Sequence, residues 1–304
     1  MIPTVRLASL FSNWYSGATL FTILLDNHSE IVSNGEALPF DSGDDTRYVC
    51  SCGKSLEECE FYHGAAGHMR TPDTGRWNPE VFVQVPSFSR NRLMRFVLGS
   101  PRVENILRSY LIERIPRYRR TRNLFLDAQL QFFTKATRLA KASLYLDGTK
   151  SIRRAQLFAR DGRCDQKAIH VVRDGRGFCH SYLKNRHLTE NDTFKAAREW
   201  LYYIWQVDKF SKDFPRIPIL TVRYEDLCRS TATVMEAVTR FLDIPYEEPT
   251  AIDMKEKHIL GNRMRRTFKG EIVEDKSWTE QLSPKMQAEI TRMTRRELER
   301  FGYL

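Results

Sequence analysis

The chain has 304 residues, with 48 lysines and arginines against 38 aspartates and glutamates, 41% hydrophobic and 12% aromatic content. That supports one large domain or two small ones with a sizeable core, and excludes disordered and collagen-like chains. No apolar run approaches the roughly 18 residues of a membrane span, and six cysteines in this length do not make a disulfide scaffold.

In chain order, Val5 to Phe11 is a compact apolar run that predicts a strand, and Ser12-Asn13-Trp14-Tyr15-Ser16-Gly17 is turn-forming. Leu20, Ile23, Leu24 and Ile31 then recur at helical spacing. Met1 to Leu10 is too short for a secretory signal, so the expected compartment is the cytoplasm. From about Asp41 to Asn123 the pattern fails. This stretch holds Cys50, Cys52 and Cys59, a turn-rich Thr71 to Gly75, and ten arginines between Arg90 and Arg122 against Glu104 and Glu113. It reads as an insertion on the core. Such a basic block favours an acidic partner, if it is more than a solvated helical face.

Leu144 to Leu146, Ile169 to Val172 and Ile219 to Val222 are three further strands, each bounded by Asp, Gly or Pro. Between and after them, Arg153 to Arg160, Phe194 to Phe214, Thr231 to Leu242 and Pro284 to Phe301 read as helices, the last opened by Ser283 as N-cap and Pro284 at the first position. Strands alternating with helices predict an α/β fold with a mostly parallel sheet covered on both faces.

Ligands of such a sheet gather at the carboxyl ends of its strands. Four loops lie there. Ser16-Gly17-Ala18-Thr19 opens a helix and can cradle an anion with amides, hydroxyls and the helix dipole. Lys150 closes Asp147-Gly148-Thr149-Lys150, and Arg173 ends a strand with Ser181 one to two turns into the next helix, a pair that can hold a phosphate. Tyr224 begins Tyr224-Glu225-Asp226-Leu227 and offers a ring for stacking on a base. Gly53-Lys54-Ser55 ends like a nucleotide-binding P-loop, but the glycine required five positions earlier is Tyr48; Gly175-Arg176-Gly177 lacks its third glycine, the position being His180.

Together the loops resemble the sulfotransferases that use 3′-phosphoadenosine 5′-phosphosulfate (PAPS), especially the branch with tyrosylprotein, Golgi carbohydrate and bacterial enzymes. The resemblance rests on the first loop, on Arg173, Asp174, Arg176 and Ser181, on Tyr224 to Leu227 with Phe241 to Pro245, and on His258 to Arg265 ahead of Trp278 and Phe301-Gly302-Tyr303. It implies a P-loop-like parallel sheet flanked by helices, one domain over 1–304, and a mostly helical acceptor-side insertion at about 41–123. It also implies that Tyr15, Ser16, Gly17, Ala18 and Thr19 face the phosphosulfate, and that Arg173, Ser181, Tyr224, Arg263 and Arg265 complete the donor site. Where the family carries Arg and Thr in the first loop, this chain has Tyr15 and Ala18, leaving Lys150 as the compensating cation with Arg153 nearby. Glu36, in Asn34-Gly35-Glu36, matches the family's catalytic carboxylate, with His63 and His68 as alternative bases and an ion pair with Lys150 as its structural alternative.

No metal is required by this chemistry. Cys50, Cys52 and Cys59 read as a reduced loop, with a zinc site completed by His63 or His68 as the alternative. The expected acceptor is a carbohydrate or glycolipid hydroxyl, then tyrosine or a small phenol; a non-catalytic nucleotide-binding, membrane-surface protein is the rival. The block from Arg90 to Arg122 suits peripheral contact with an anionic inner membrane face, and no nucleic-acid partner is expected.

Overall fold

The computed structural model describes residues 5–36, 49–56, 58–67, 114–248, 250–262 and 264–304. Five parallel strands form one sheet in the order β2-β3-β1-β4-β5: β1 (Val5–Ser12), β2 (Ile31–Ser33), β3 (Leu144–Asp147), β4 (Cys164–Val172) and β5 (Ile219–Arg223). The helices are α1 (Ala18–Asp26), α2 (Glu60–Ala66), α3 (Pro116–Ala140), α4 (Ile152–Asp161), α5 (Gly175–Asn185), α6 (Thr193–Asp213), α7 (Tyr224–Arg229), α8 (Thr231–Phe241), α9 (Met264–Thr267), α10 (Trp278–Gln281) and α11 (Pro284–Arg300). None of the described helices is long and apolar enough to cross a membrane.

Side chains alternate across the pleat, so β1 feeds two cores. Leu7 packs with Tyr145 against Phe132 and Phe133 of α3 and Phe158 of α4, and Phe11 packs with Phe210 of α6. On the opposite face, Ala8 and Leu10 meet Phe21 and Leu24 of α1 and Val238 of α8. Burial of both faces explains why the strands read as continuous apolar runs.

Helix boundaries follow capping chemistry. Ser151 accepts from the Arg154 amide to start α4, and Ser283 accepts from the Met286 amide at 3.3 Å ahead of Pro284 to start α11. Two differences from the sequence reading stand out. Ile31 lies in β2 and not on the preceding helix, because α1 ends at Asp26 and the Asp26 carboxylate accepts from the Ser33 amide at 2.6 Å, turning the chain back into the sheet. Helix α3 runs through the expected insertion boundary at Asn123 to Ala140, with Phe125, Leu126, Phe132 and Phe133 buried on its inner side.

After β1 the chain goes first to β2 and β3 on one side, then crosses to β4 and β5 on the other. Strand β1 is therefore the topological switch point, and the crevice beyond its carboxyl end is where an open α/β sheet takes its ligand. The register, with Ser12 opposite Val171 and Val172 opposite Arg223, brings the loops after β1, β4 and β5 to one edge.

Candidate active site

The loop from Ser12 to α1 turns sharply. Tyr15 has φ 62° and Gly17 φ 82°, both left-handed. Gly17 is required twice over: its φ is unfavourable for other residues, and a Cβ there would come within 2.3 Å of the Tyr224 ring. Ser16 and Thr19 are buried, and no side chain caps the N-terminus of α1. The first amides of a helix have no intrahelical acceptor. The N-terminus of α1 is uncapped and has no acidic residue in its first turn, an arrangement whose amides and dipole favour negative charge.

Glu36 stands beside this loop. Its Oε1 accepts from Thr19 Oγ1 at 3.5 Å and from the ammonium of Lys150, and both members of the ion pair are largely buried. Among the described residues no donor is placed on Oε2. Lys150 has φ 62°, a second left-handed non-glycine residue at a strand end. Its carbonyl accepts from the Tyr203 hydroxyl at 3.0 Å, which in turn accepts from the Ser12 amide at 2.8 Å, so α6 fixes the β1 and β3 loops together.

A further wall comes from far along the chain. Leu260 donates its amide to the Asn34 carbonyl at 2.8 Å and accepts from the Glu36 amide at 3.1 Å. Gly35 permits this pairing, because a Cβ there would meet the Leu260 carbonyl oxygen at 2.2 Å. Asn262 donates from Nδ2 to Thr19 Oγ1 at 2.9 Å.

On the β4 side, Arg173 donates to the Tyr15 carbonyl at 2.8 Å, to Ser181 Oγ at 3.1 Å, and to both the carbonyl and the carboxylate of Asp275 at 2.9 Å. Partial burial works against the charge on Asp275, but hydrogen bonds from Ser277 and Arg173 hold its carboxyl down at about 2. Asp174 caps α5 and pairs with Arg176, whose guanidinium lies 4.7 Å over the Trp278 ring. The Arg173–Ser181 pair read from the sequence is thus assembled, while Asp275 was not anticipated: a lone aspartate 102 residues away leaves no local pattern.

Two of the expected site residues, Tyr224 and Arg265, are packed into the fold. Tyr224 is buried, with its ring against Gly17 and 5.0 Å beneath the Arg173 guanidinium, so it braces the loop after β1 against the end of β4. Arg265 is also buried, donating to the carbonyls of Val49, Gly261 and Asn262 and clamping those segments together. Arg263 lies outside the described residues, as do His68 and the 90–113 part of the basic block. His63 is exposed on α2.

All three clustered cysteines are free thiols. They are joined by a residue the sequence reading did not place there. It is His258, and it stands with Cys50, Cys52 and Cys59 where His63 or His68 was considered.

A parallel sheet whose switch-point loops present an uncapped helix N-terminus, a buried Lys–Glu pair and an Arg–Ser pair defines a P-loop-like α/β fold. A sequence profile described as the sulfotransferase family matches residues 96–248, half of the chain. The chain belongs to the sulfotransferase family. Its fold is similar to that of the sulfotransferase domain from the curacin biosynthetic pathway (17% identity, 97% of this chain and 98% of that one, TM-score 0.53). It is equally similar to the sulfotransferase domain of the Synechococcus PCC 7002 olefin synthase (19% identity, 99% and 96%, TM-score 0.54). No curated protein matches the sequence significantly.

Proposed function

We propose that this chain transfers the sulfuryl group of PAPS to a hydroxyl acceptor, with Glu36 as general base and Lys150 as the cation at the reacting end. The observation that carries the reading is the Glu36–Lys150–Thr19 cluster beside the uncapped start of α1. The donor set suits PAPS. Amides of the Tyr15, Ser16, Gly17, Ala18 and Thr19 loop and the Ser16 and Thr19 hydroxyls would receive the 5′ end, while Arg173 and Ser181 would hold the 3′-phosphate. The bound donor supplies an activated sulfuryl group on a phosphate leaving group, and the needs of its transfer resemble those of phosphoryl transfer.

Glu36 takes the acceptor's hydroxyl proton on Oε2, the oxygen that neither Thr19 nor Lys150 engages. Lys150, held on Oε1, keeps the carboxylate oriented and sets a positive charge where negative charge develops on the leaving oxygen. This single cation does what the family's first-loop Arg would do at the position of Tyr15.

The acceptor we assign is a carbohydrate or glycolipid hydroxyl, supported by the composition of the 41–123 segment, where arginines are interleaved with Trp77, Phe88, Phe96, Tyr110 and Tyr118. Screening labelled PAPS against glycan, glycolipid and phenolic acceptors tests both parts. Label should move to a sugar hydroxyl in the native chain and not in Glu36→Gln. Transfer to phenols alone would overturn the acceptor class, and undiminished transfer in Glu36→Gln would overturn the base.

A further inference from the structure

The Cys50, Cys52, Cys59 and His258 cluster has no part in the transfer just described, and its four ligand atoms lie within 4.8 Å of one another. Cys50 Sγ and Cys59 Sγ are 3.7 Å apart, Cys52 Sγ and Cys59 Sγ 3.8 Å. The His258 Nδ1 is 3.6 Å from Cys50 Sγ and 3.3 Å from Cys59 Sγ. A tetrahedron with zinc–sulfur bonds of about 2.3 Å and zinc–nitrogen bonds of about 2.0 Å has sulfur–sulfur edges near ~3.8 Å and sulfur–nitrogen edges near ~3.5 Å. These four separations match such edges to within about 0.2 Å. A disulfide needs sulfurs at about 2.05 Å, and three cysteines would leave one over.

The surroundings are those of a closed structural site. Cys50 and Cys59 are buried, Cys52 partly so. The chain bends tightly between the first two ligands and beyond them, with the Cys50 amide on the Lys54 carbonyl, the Gly53 amide on the Cys50 carbonyl, and an isolated antiparallel bridge from Val49 to Ser55. The imidazole of His258 stacks on Phe61 at 4.8 Å with an interplanar angle of 3°, and the Tyr62 hydroxyl donates to the His258 carbonyl at 2.7 Å. Neighbouring groups thus fix the ring before any ion arrives, as outer contacts do around metal-bound histidines.

We infer that Cys50, Cys52, Cys59 and His258 bind one zinc ion in a tetrahedral, purely structural site. Three thiolates and one imidazole favour zinc over hard oxygen-seeking cations, and the four protein ligands leave no open position for chemistry. The ion ties the segment that carries the cysteines to one 199 residues further along the chain. That second segment continues directly into Leu260, which pairs with Asn34 and Glu36, into Gly261, which lies against the Glu36 side chain, and into Asn262, which reaches Thr19. The zinc therefore anchors one wall of the active site without touching its reactants.

The test is metal analysis of the full chain purified under reducing conditions without added metal, followed by cobalt titration of the chelator-stripped protein. The expected result is about one zinc per chain, and on cobalt addition the intense visible bands and thiolate charge-transfer absorption of a tetrahedral sulfur-rich site. Cys52→Ser and His258→Asn should each lose most of the metal, whereas Cys228→Ser should keep it. Should the variants fold poorly, the cobalt spectrum of the native chain still decides. A reduced chain that neither carries zinc nor gives that spectrum overturns the site, and zinc retained in the Cys52→Ser/His258→Asn double variant overturns the ligand set.

Discussion

At the β3 end of the site Lys150 and its partner Glu36 have side chains only 8% and 12% exposed, whereas at the β4 end Arg173 is 6% exposed but its partner Asp275 is 44% exposed. Both cations are paired, yet the partners differ in kind. Glu36 is enclosed and held on one oxygen by Thr19 and Lys150, so it stays in place and can act on a bound molecule. Asp275 faces solvent, sits on Arg173 as a carboxylate, and can give way to a phosphate that makes the same charge-assisted hydrogen bonds. In the function proposed above, the first end is the one for chemistry and the second the one for anion exchange.

The largest expected effect breaks the first half of that contrast. Glu36→Gln should lower turnover by about 10²- to 10⁴-fold, the usual worth of a general base, while leaving affinity for 3′,5′-bisphosphoadenosine nearly unchanged; steady-state kinetics with parallel titrations checks both. At the other end, Arg173→Leu removes charge-assisted hydrogen bonds of about 1.5–3 kcal/mol. It should weaken bisphosphate binding by about 10- to 150-fold, with AMP binding little altered.

A third prediction concerns the sheet on which both ends stand. Burial pushes the imidazole of His170 on β4 down to about 4, against the opposing pull of Asp208. The unfolded chain binds a proton there from about pH 6.5 downward while the folded chain does not, so stability is full above pH 6.5 and is lost as pH falls towards 4. The loss amounts to about 3 kcal/mol. Urea unfolding across that range should show it, and His170→Phe should flatten it.

Smaller effects sharpen the anion-exchange half. Ser181→Ala should cost about 1 kcal/mol, roughly fivefold, in bisphosphate affinity alone. Asp275→Asn should tighten the same ligand by about two- to fivefold, because a competing partly exposed carboxylate is worth at most about 1 kcal/mol. Weaker binding in Asp275→Asn would mean that the aspartate helps build the pocket and does not compete for it.

Much of this was legible in the sequence where the signal was local. Four strands stood out as short apolar runs, three of them bounded by Asp, Gly or Pro; Lys150 and Arg173 with Ser181 were read from their places after strands, and Glu36 from the family resemblance. Strand β2 escaped because three residues are too few to show a period, and Ile31 happened to continue the spacing of Leu20, Ile23 and Leu24. That Tyr224 packs against Gly17 and Arg265 holds backbone carbonyls is visible only in the tertiary structure. His258, Asp275 and Asn262 join their partners across 102 to 243 residues, a distance over which a single sequence carries no spacing signal.

The central claim is that the crevice at the end of β1 is shaped for a 3′-phosphorylated adenosine nucleotide. Calorimetric titration with 3′,5′-bisphosphoadenosine, with ATP and AMP as controls, tests it most directly. The account predicts tight binding of the bisphosphate and weak or absent binding of the other two; equal binding of ATP, or no binding of the bisphosphate, would contradict it.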